Sequence, residues 1–259
     1  MKIRYFNTLL KVVIVISLSI FFLLFSALWY FSSGLPDYKK LENYEPPVSS
    51  RVYANNGDLI AEYAIEKRLF IPYEAIPKPI INAFLSAEDK NFFDHPGIDP
   101  QGIIRAVINN FKNIINDKRL EGASTITQQV AKNFLLTNEV SLKRKIKEAI
   151  LAFRIEKAYS KERILELYLN QIYLGSGSYG VAAASLEYFD KSVKELSFSE
   201  AALLAALPKA PSKYNPFRFY DEAKLRRNLV LQNLRENNFI SENELNKYKS
   251  EEINLKKRK

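Results

Sequence analysis

Residues 87–99 read AEDKNFFDHPGID. The run that leads into them, INAFLSA (81–87), carries apolar side chains at helical spacing, and Pro96 and Gly97 stop a helix. The stretch is therefore read as the end of a helix over 78–92. It gathers carboxylates, two phenylalanines and the chain's only histidine, His95. From Ile80 onward the same pattern recurs, with Pro and Gly concentrated between the periodic runs, so the fold class is expected to be mainly α. In GASTITQQVAKN (122–133) Thr125 and Gln128 have capping-box spacing, which starts a helix at Ser124 or Thr125. Residues 141–158 and 161–174 are two further helices, the second capped by Ser160 and ended by Gly175. SEAALLAAL (199–207) is apolar nearly all round and is expected to be buried.

Upstream the pattern changes. RVYANNGDLIAEYAIEKRLFIPY (51–73) places β-branched and aromatic residues on both sides of NNGD, a hairpin turn. Residues 32–50, rich in Pro, Ser and Gly, read as a linker. Residues 12–31, VVIVISLSIFFLLFSALWYF, carry no charge. At about 1.5 Å per residue they can cross the roughly 30 Å apolar slab of a bilayer. Lys2, Arg4 and Lys11 precede this segment, and Trp29 and Tyr30 sit at its far edge. The positive-inside rule then keeps the N-terminus cytoplasmic and exports the rest. A cleaved signal peptide is the alternative, disfavoured because the run is long and FSSGLPDY offers no small-x-small site. The expected organisation is a cytoplasmic tail (1–11), an anchor (12–31), the linker (32–50), one domain (51–235) and a C-terminal tail or linker start (236–259).

The formal charge is +9 and the pI about 9.4. An exported domain on a membrane meets anionic headgroups and phosphates with such a charge, rather than nucleic acid. There is no cysteine, which excludes disulfides and thiolate metal sites, and a lone histidine argues against zinc.

Glu88 falls at the inner, C-terminal end of its helix, where the dipole favours cations over anions. A partly buried carboxylate there has a raised pKa and suits a general base, although taken singly a glutamate is more often a solvated or paired surface residue. The helix from Ser124 puts Thr125, Gln129 and Lys132 on one face with Asn133 beside them, and its N-terminus can seat an oxyanion or phosphate. A polar outer surface explains the same pattern. In RKIKEAILAFRIEK (144–157), Arg144, Lys145 and Glu148 are helix neighbours. They form either an ordinary ion pair or a pyrophosphate site, used directly or through a divalent cation on the carboxylate. Glu166 and Asn170, in the mostly apolar KERILELYLN (161–170), read as buried structural hydrogen-bonders.

Taken together and in order, EDKNFFDHPG, GASTITQQVAKN, RKIKEAILA, KERILELYLNQIYLG and AALLAALPKAPSKYNP resemble the five signature motifs of glycosyltransferase family 51, the peptidoglycan glycosyltransferases of class A penicillin-binding proteins and their monofunctional relatives. The resemblance runs from about residue 50 to about 235, and SSGLPDY and YEPPVSSRVYANNGDLIAEY look most like the 1A branch of that class. It implies a lysozyme-like, mostly helical domain with a mobile membrane-facing lobe. It implies polymerisation of lipid II into β-1,4-linked glycan with inversion and release of undecaprenyl diphosphate. By resemblance Glu88 is the base and Glu148 the second important carboxylate, acting around the pyrophosphate and able to hold a divalent cation, Mg or Mn. Asp89 and His95 orient the site. Ser124, Thr125, Gln128, Gln129, Lys132, Asn133, Arg144, Lys145 and Lys209 bind substrate.

In the same family the region of IIRAVINNFKNII (103–115) faces lipid, whereas on a soluble domain its apolar stripe would mean core. The implied partners are lipid II, the growing glycan strand, membrane lipids, and transpeptidases and other cell-wall synthesis proteins; the implied location is the bacterial inner membrane, with the domain on its outer face. No serine here has Lys three residues on, so the transpeptidase nucleophile of bifunctional relatives is not recognised, and the chain is read as either a cut-down bifunctional protein or a stand-alone transferase. The rival readings are a lytic transglycosylase or muramidase, which has no use for the Arg144, Lys145 and Glu148 group, and an inactive membrane scaffold.

Overall fold

The helix that carries Glu88 is α2, and it is held in the middle of a mainly helical domain. The computed structural model describes residues 2–256 apart from 43, 45–49, 54, 56–58, 64–66, 117–121 and 138; the side chains of 2–9, 24, 27, 28, 50–53 and 59–63 also lie outside the description. In chain order the elements are α1 (Lys2–Ser32), β1 (Ser50–Tyr53), β2 (Leu59–Tyr63), β3 (Lys67–Arg68), α2 (Lys78–Glu88), α3 (Pro100–Ile115), α4 (Ile126–Leu135), α5 (Leu142–Ala158), α6 (Lys161–Gln171), β4 (Ser178–Tyr179), α7 (Val181–Phe189), α8 (Phe198–Ala206), α9 (Tyr220–Glu236) and α10 (Glu242–Ser250).

α8 is the centre of the core. Ala201 to Leu207 are fully buried, with α2 packed on one side and α9 on another. Such a helix has no polar stripe because no side of it meets water. A second layer, α4 against α5 and α6, shares the same core through Ile126, Leu151, Ile155 and Leu165. Glu166 and Asn170 tie the segment before α2 to α6, as their apolar surroundings suggested. Glu166 accepts from the Tyr73 amide at 2.7 Å, and Asn170 both accepts from the Ile71 amide and donates to the Ile71 carbonyl at 2.8 Å.

Several boundaries differ from expectation. The helix read over 78–92 stops at Glu88, because Asp89 leaves helical geometry (φ −158°, ψ 76°) to bond elsewhere. The helix read over 161–174 stops at Gln171, and the chain then turns back, Leu174 donating to the Ser178 carbonyl at 2.9 Å. β1 and β2 pair antiparallel, as the hairpin requires, though most of NNGD lies outside the described residues. Lys67–Arg68 does something periodicity did not indicate: it pairs in parallel with Ser178–Tyr179.

The stretch read as a linker contributes a core residue, Leu41, which is buried at the end of a short 3₁₀ turn over Tyr38–Leu41. The stretch read as a tail forms α10 against α9 and buries Leu245 and Ile253. α1 includes the whole uncharged run 12–31, and its described apolar side chains are exposed apart from the half-buried Phe31. Among the described residues no helix is long and apolar enough to cross a membrane; residues whose side chains lie outside the description interrupt this run.

Candidate active site

Asp89 explains how α2 delivers Glu88. Its carboxylate receives Nε2 of His95 at 3.0 Å and the amide of Ile126, the first residue of α4, at 2.9 Å. Three separate segments thus converge on one buried acid. Nδ1 of His95 accepts from the Gly97 amide at 3.2 Å, so Nε2 is the nitrogen that carries the proton and donates it to Asp89. Gly97 is required here. It has φ +95°, and a Cβ would stand 2.9 Å from the backbone of Ala152 in α5. Lys161 completes the brace, donating to the His95 carbonyl at 2.7 Å and to Glu156 at 2.8 Å. Asp89 and His95 are buried and bonded to protein, so their geometry is that of orienting groups.

Glu88 itself, partly buried, opens into a cleft of about 760 Å³. Gly102, Arg105 and Asn109 of α3 form one wall of this cleft, and Arg226, Asn233 and Asn237 of α9 with its flank form another. Lys209, in the turn after α8, and Ser124, just before α4, also line it. Gln129 donates to the Glu88 carboxylate at 2.8 Å. Burial pushes the Glu88 carboxyl above its ordinary range, against the lowering pull of the Gln129 hydrogen bond and of the Arg226 and Lys209 cations; the charge of Asp89 adds a smaller push upward. A carboxylate so placed is a stronger base than an exposed one.

Beyond Ser124 lies the second group. Glu148 is buried, and its two oxygens are taken by Arg144 and by Lys145, the latter at 2.8 Å. Lys145 also donates to the Ser124 hydroxyl at 2.6 Å, which makes Ser124 the hinge between this group and the cleft of Glu88. Lys132 stands near enough to feel both Arg144 and Glu88. Burial, and then repulsion from Arg144, holds Lys132 and Lys145 below the ordinary lysine range. Arg144, Lys145 and Lys132 repel one another, and only the first two are paired with Glu148, so positive charge is left that an entering oxyanion would relieve.

Two of the expected substrate contacts have another occupation. Thr125 and Gln128 are buried and cap α4 reciprocally, the Thr125 amide donating to Oε1 of Gln128 at 3.0 Å and the Gln128 amide to Oγ1 of Thr125 at 3.2 Å. Oγ1 also donates to the Gly97 carbonyl at 2.6 Å. They hold α4 in place. Asn133 is half-buried on α4 and, among the described residues, makes no hydrogen bond to Glu88. A divalent cation at Glu148 does not fit the donor set, since both oxygens already face cations; among the described residues no three His, Asp or Glu side chains gather as metal ligands. Arg105, Arg226, Asn233 and Asn237 line the cleft without any motif in the sequence to mark them. Their only signal there is the Arg226-Arg227 doublet inside a helix.

Residues 56–235 match the family model described as Transglycosylase. The chain is 52% identical over 231 residues to penicillin-binding protein 1A of Rickettsia felis, covering 89% of this chain and 29% of that protein. It is 51% identical over 224 residues to penicillin-binding protein 1A of Aquifex aeolicus, covering 86% and 30%. The chain thus spans less than a third of the length of these relatives. The 2.6 Å crystal structure of penicillin-binding protein 1A from Haemophilus influenzae superposes with a TM-score of 0.50 at 28% identity, over 83% of this chain and 22% of that one.

Proposed function

The chain belongs to the transglycosylase family, and on that premise we propose that it is a membrane-anchored peptidoglycan glycosyltransferase that polymerises lipid II. The observation that carries this reading is the cleft that holds Glu88 together with Lys209 and Arg226 and meets the Arg144, Lys145 and Glu148 group at Ser124. In the reaction, the 4-hydroxyl of one lipid-linked sugar attacks C1 of the other. The new O–C1 bond forms as the C1–O bond to diphosphate breaks, inverting C1. The hydroxyl proton passes to the Glu88 carboxylate, and diphosphate leaves with the bonding electron pair. Because that group departs already anionic, the site needs one base and a positive lining rather than a second, protonating acid. This separates it from a lytic enzyme, for which the cations of α4 and α5 have no task.

The same reading assigns α1 as the anchor, with its N-terminus cytoplasmic and the domain at the outer face of the inner membrane. The exposed stripe of α3, in which Ile104, Val107 and Phe111 are 61%, 64% and 70% accessible, then rests on lipid beside the cleft mouth. Growing glycan strand and cell-wall transpeptidases are its partners.

The test is polymerisation of lipid II in detergent by the purified protein. Glu88→Gln keeps the size of the side chain and removes the base, and is expected to lower turnover at least about a hundredfold. Near-normal turnover in that variant removes Glu88 from its role, and digestion of finished sacculi without synthesis moves the protein to the lytic class.

A further inference from the structure

Tyr168 on α6 and Tyr188 on α7 are both fully buried, and their hydroxyls stand in opposite circumstances. Tyr188 donates to the Leu174 carbonyl at 2.9 Å and lies 3.3 Å from the Ser176 hydroxyl. The Tyr168 hydroxyl is buried too, and among the described residues it has no hydrogen-bond partner. Native cores seldom leave a polar group bare, so this one calls for an explanation.

The surroundings supply one. The Tyr168 ring meets Phe84 edge-on, with centroids 6.2 Å apart and an interplanar angle of 77°. Phe84 lies one turn before Glu88 on the same face of α2, and helical side chains lean back over the preceding turn. Tyr168 is not among the residues that line the cleft, so it approaches the base from the protein side. Burial, and then the charges of Glu88 and Asp89, push the phenol well above the ordinary tyrosine range, so it keeps its proton and remains a donor. Of those two carboxylates, Asp89 already meets His95 and the Ile126 amide. Glu88 accepts, among the described residues, from Gln129 alone. The other charges that face Glu88 come from elsewhere: Arg226 of α9, Lys209 and, on α4, Lys132 attract it, Asp89 repels it, and Arg105 of α3 lines the same cleft. A neutral donor without an acceptor thus stands behind a carboxylate that has one donor.

We propose that Tyr168 is a positioning residue for the base: its hydroxyl, turned toward Glu88, stabilises the ionised carboxylate from the protein side and keeps it ready to take a proton. A hydroxyl hydrogen rotates to suit its acceptor, and in a low-dielectric interior a dipole acts strongly on a nearby charge. Two influences on Glu88 are then balanced. Burial raises its pKa, which strengthens the base, and Tyr168 with Gln129 limits the rise, which keeps it ionised. For its effect on turnover this role rests on the glycosyltransferase reading; for its effect on the Glu88 carboxyl it does not.

The experiment follows the Glu88 carboxyl directly, by carbon NMR of the full chain in detergent with its glutamate carboxyls labelled, the Glu88 signal being the one lost in Glu88→Gln. The pH profile of lipid II polymerisation is measured alongside. Tyr168→Phe keeps the ring and removes the hydroxyl. The Glu88 titration and the acid limb of kcat/KM should both move up by at least about half a pH unit, about threefold in ionisation constant, as loss of a donor to a charged group does. Replacing Tyr168 by 3-fluorotyrosine, a stronger donor, should move both down. Tyr188→Phe, which removes the partnered hydroxyl, should lower the unfolding midpoint and leave both where they are. An unmoved Glu88 titration in folded Tyr168→Phe overturns the proposal, and so does an equal movement in Tyr188→Phe, which would trace the effect to loosened packing. If Tyr168→Phe does not fold, the fluorotyrosine protein decides, with an unmoved titration counting against. Absence of polymerisation in the wild type, with a Glu88 titration that still moves in Tyr168→Phe, would remove the glycosyltransferase reading and keep the pairing of phenol and carboxyl.

Discussion

α2 and α3 are both amphipathic helices beside one cleft, and they differ in what covers their apolar stripes. In α2, Ile80, Ala83 and Phe84 are fully buried against α8 and α9. In α3 only Gly102 and Ala106 are buried, and Ile108, Phe111, Ile114 and Ile115 are 53 to 70% accessible. A helix whose stripe is met by protein can hold a carboxylate in a fixed, partly desolvated position; one whose stripe is left open contributes little to the core. The base therefore sits on the covered wall, and the uncovered wall supplies Arg105 and Asn109 from across the cleft.

Mutation can sharpen this contrast. Phe84→Ala should cost about 3–5 kcal/mol by opening a cavity in the core, read as a fall in unfolding midpoint in detergent. A small loss there would mean that α2 is not the anchored wall. Thr125→Ala removes the cap that joins α4 to the loop of Gly97 and should cost about 1 kcal/mol, with turnover falling through displacement of Gln129.

For Glu88→Gln the sign is opposite. The folded carboxyl is raised above its unfolded value, so its contribution to stability is full at acid pH and is lost as pH rises through the raised folded pKa. The glutamine variant should therefore melt higher than wild type near pH 7, with the gap closing below about 4.3, the value for an unperturbed glutamate. Wild-type turnover should fall on acidification through that same raised pKa, because protonation removes the base. An equal midpoint at all pH values would contradict burial of the charge. On the open wall, Ile108→Gln and Phe111→Gln should each change stability by no more than about 0.5 kcal/mol. Since the chain has no cysteine, Phe111→Cys carrying a polarity-sensitive dye reads the other half of the contrast. Its emission should shift to the blue on phosphatidylglycerol vesicles, and an unshifted spectrum would leave α3 without lipid.

Much of this was legible in the residues. The capping box of Thr125 and Gln128, the Ser160 cap of α6, the burial of α8 and the inward hydrogen bonds of Glu166 and Asn170 follow from local spacing, and local spacing is what a sequence records. Where reading failed, a distant partner had decided the outcome. α2 stops at Glu88 because Asp89 is claimed by His95 and by the amide of Ile126. Leu41 and Ile253 are core residues because a linker and a tail fold back onto the domain. Lys67 and Arg68 pair with a strand that local alternation cannot point to.

By itself, then, the order of side chains determined that this protein is helical, that Glu88 lies towards the C-terminal end of a helix, and that cations cluster on α4 and α5, since helix period, caps and charge spacing act over a few residues. Only the tertiary structure decided that Arg226 faces the cleft while Arg227 is buried, that Thr125 and Gln128 are occupied in a cap, and that the stripe of α3 goes uncovered. Those outcomes depend on which surfaces meet across the chain, and burial and charge pairing between distant residues leave no local mark.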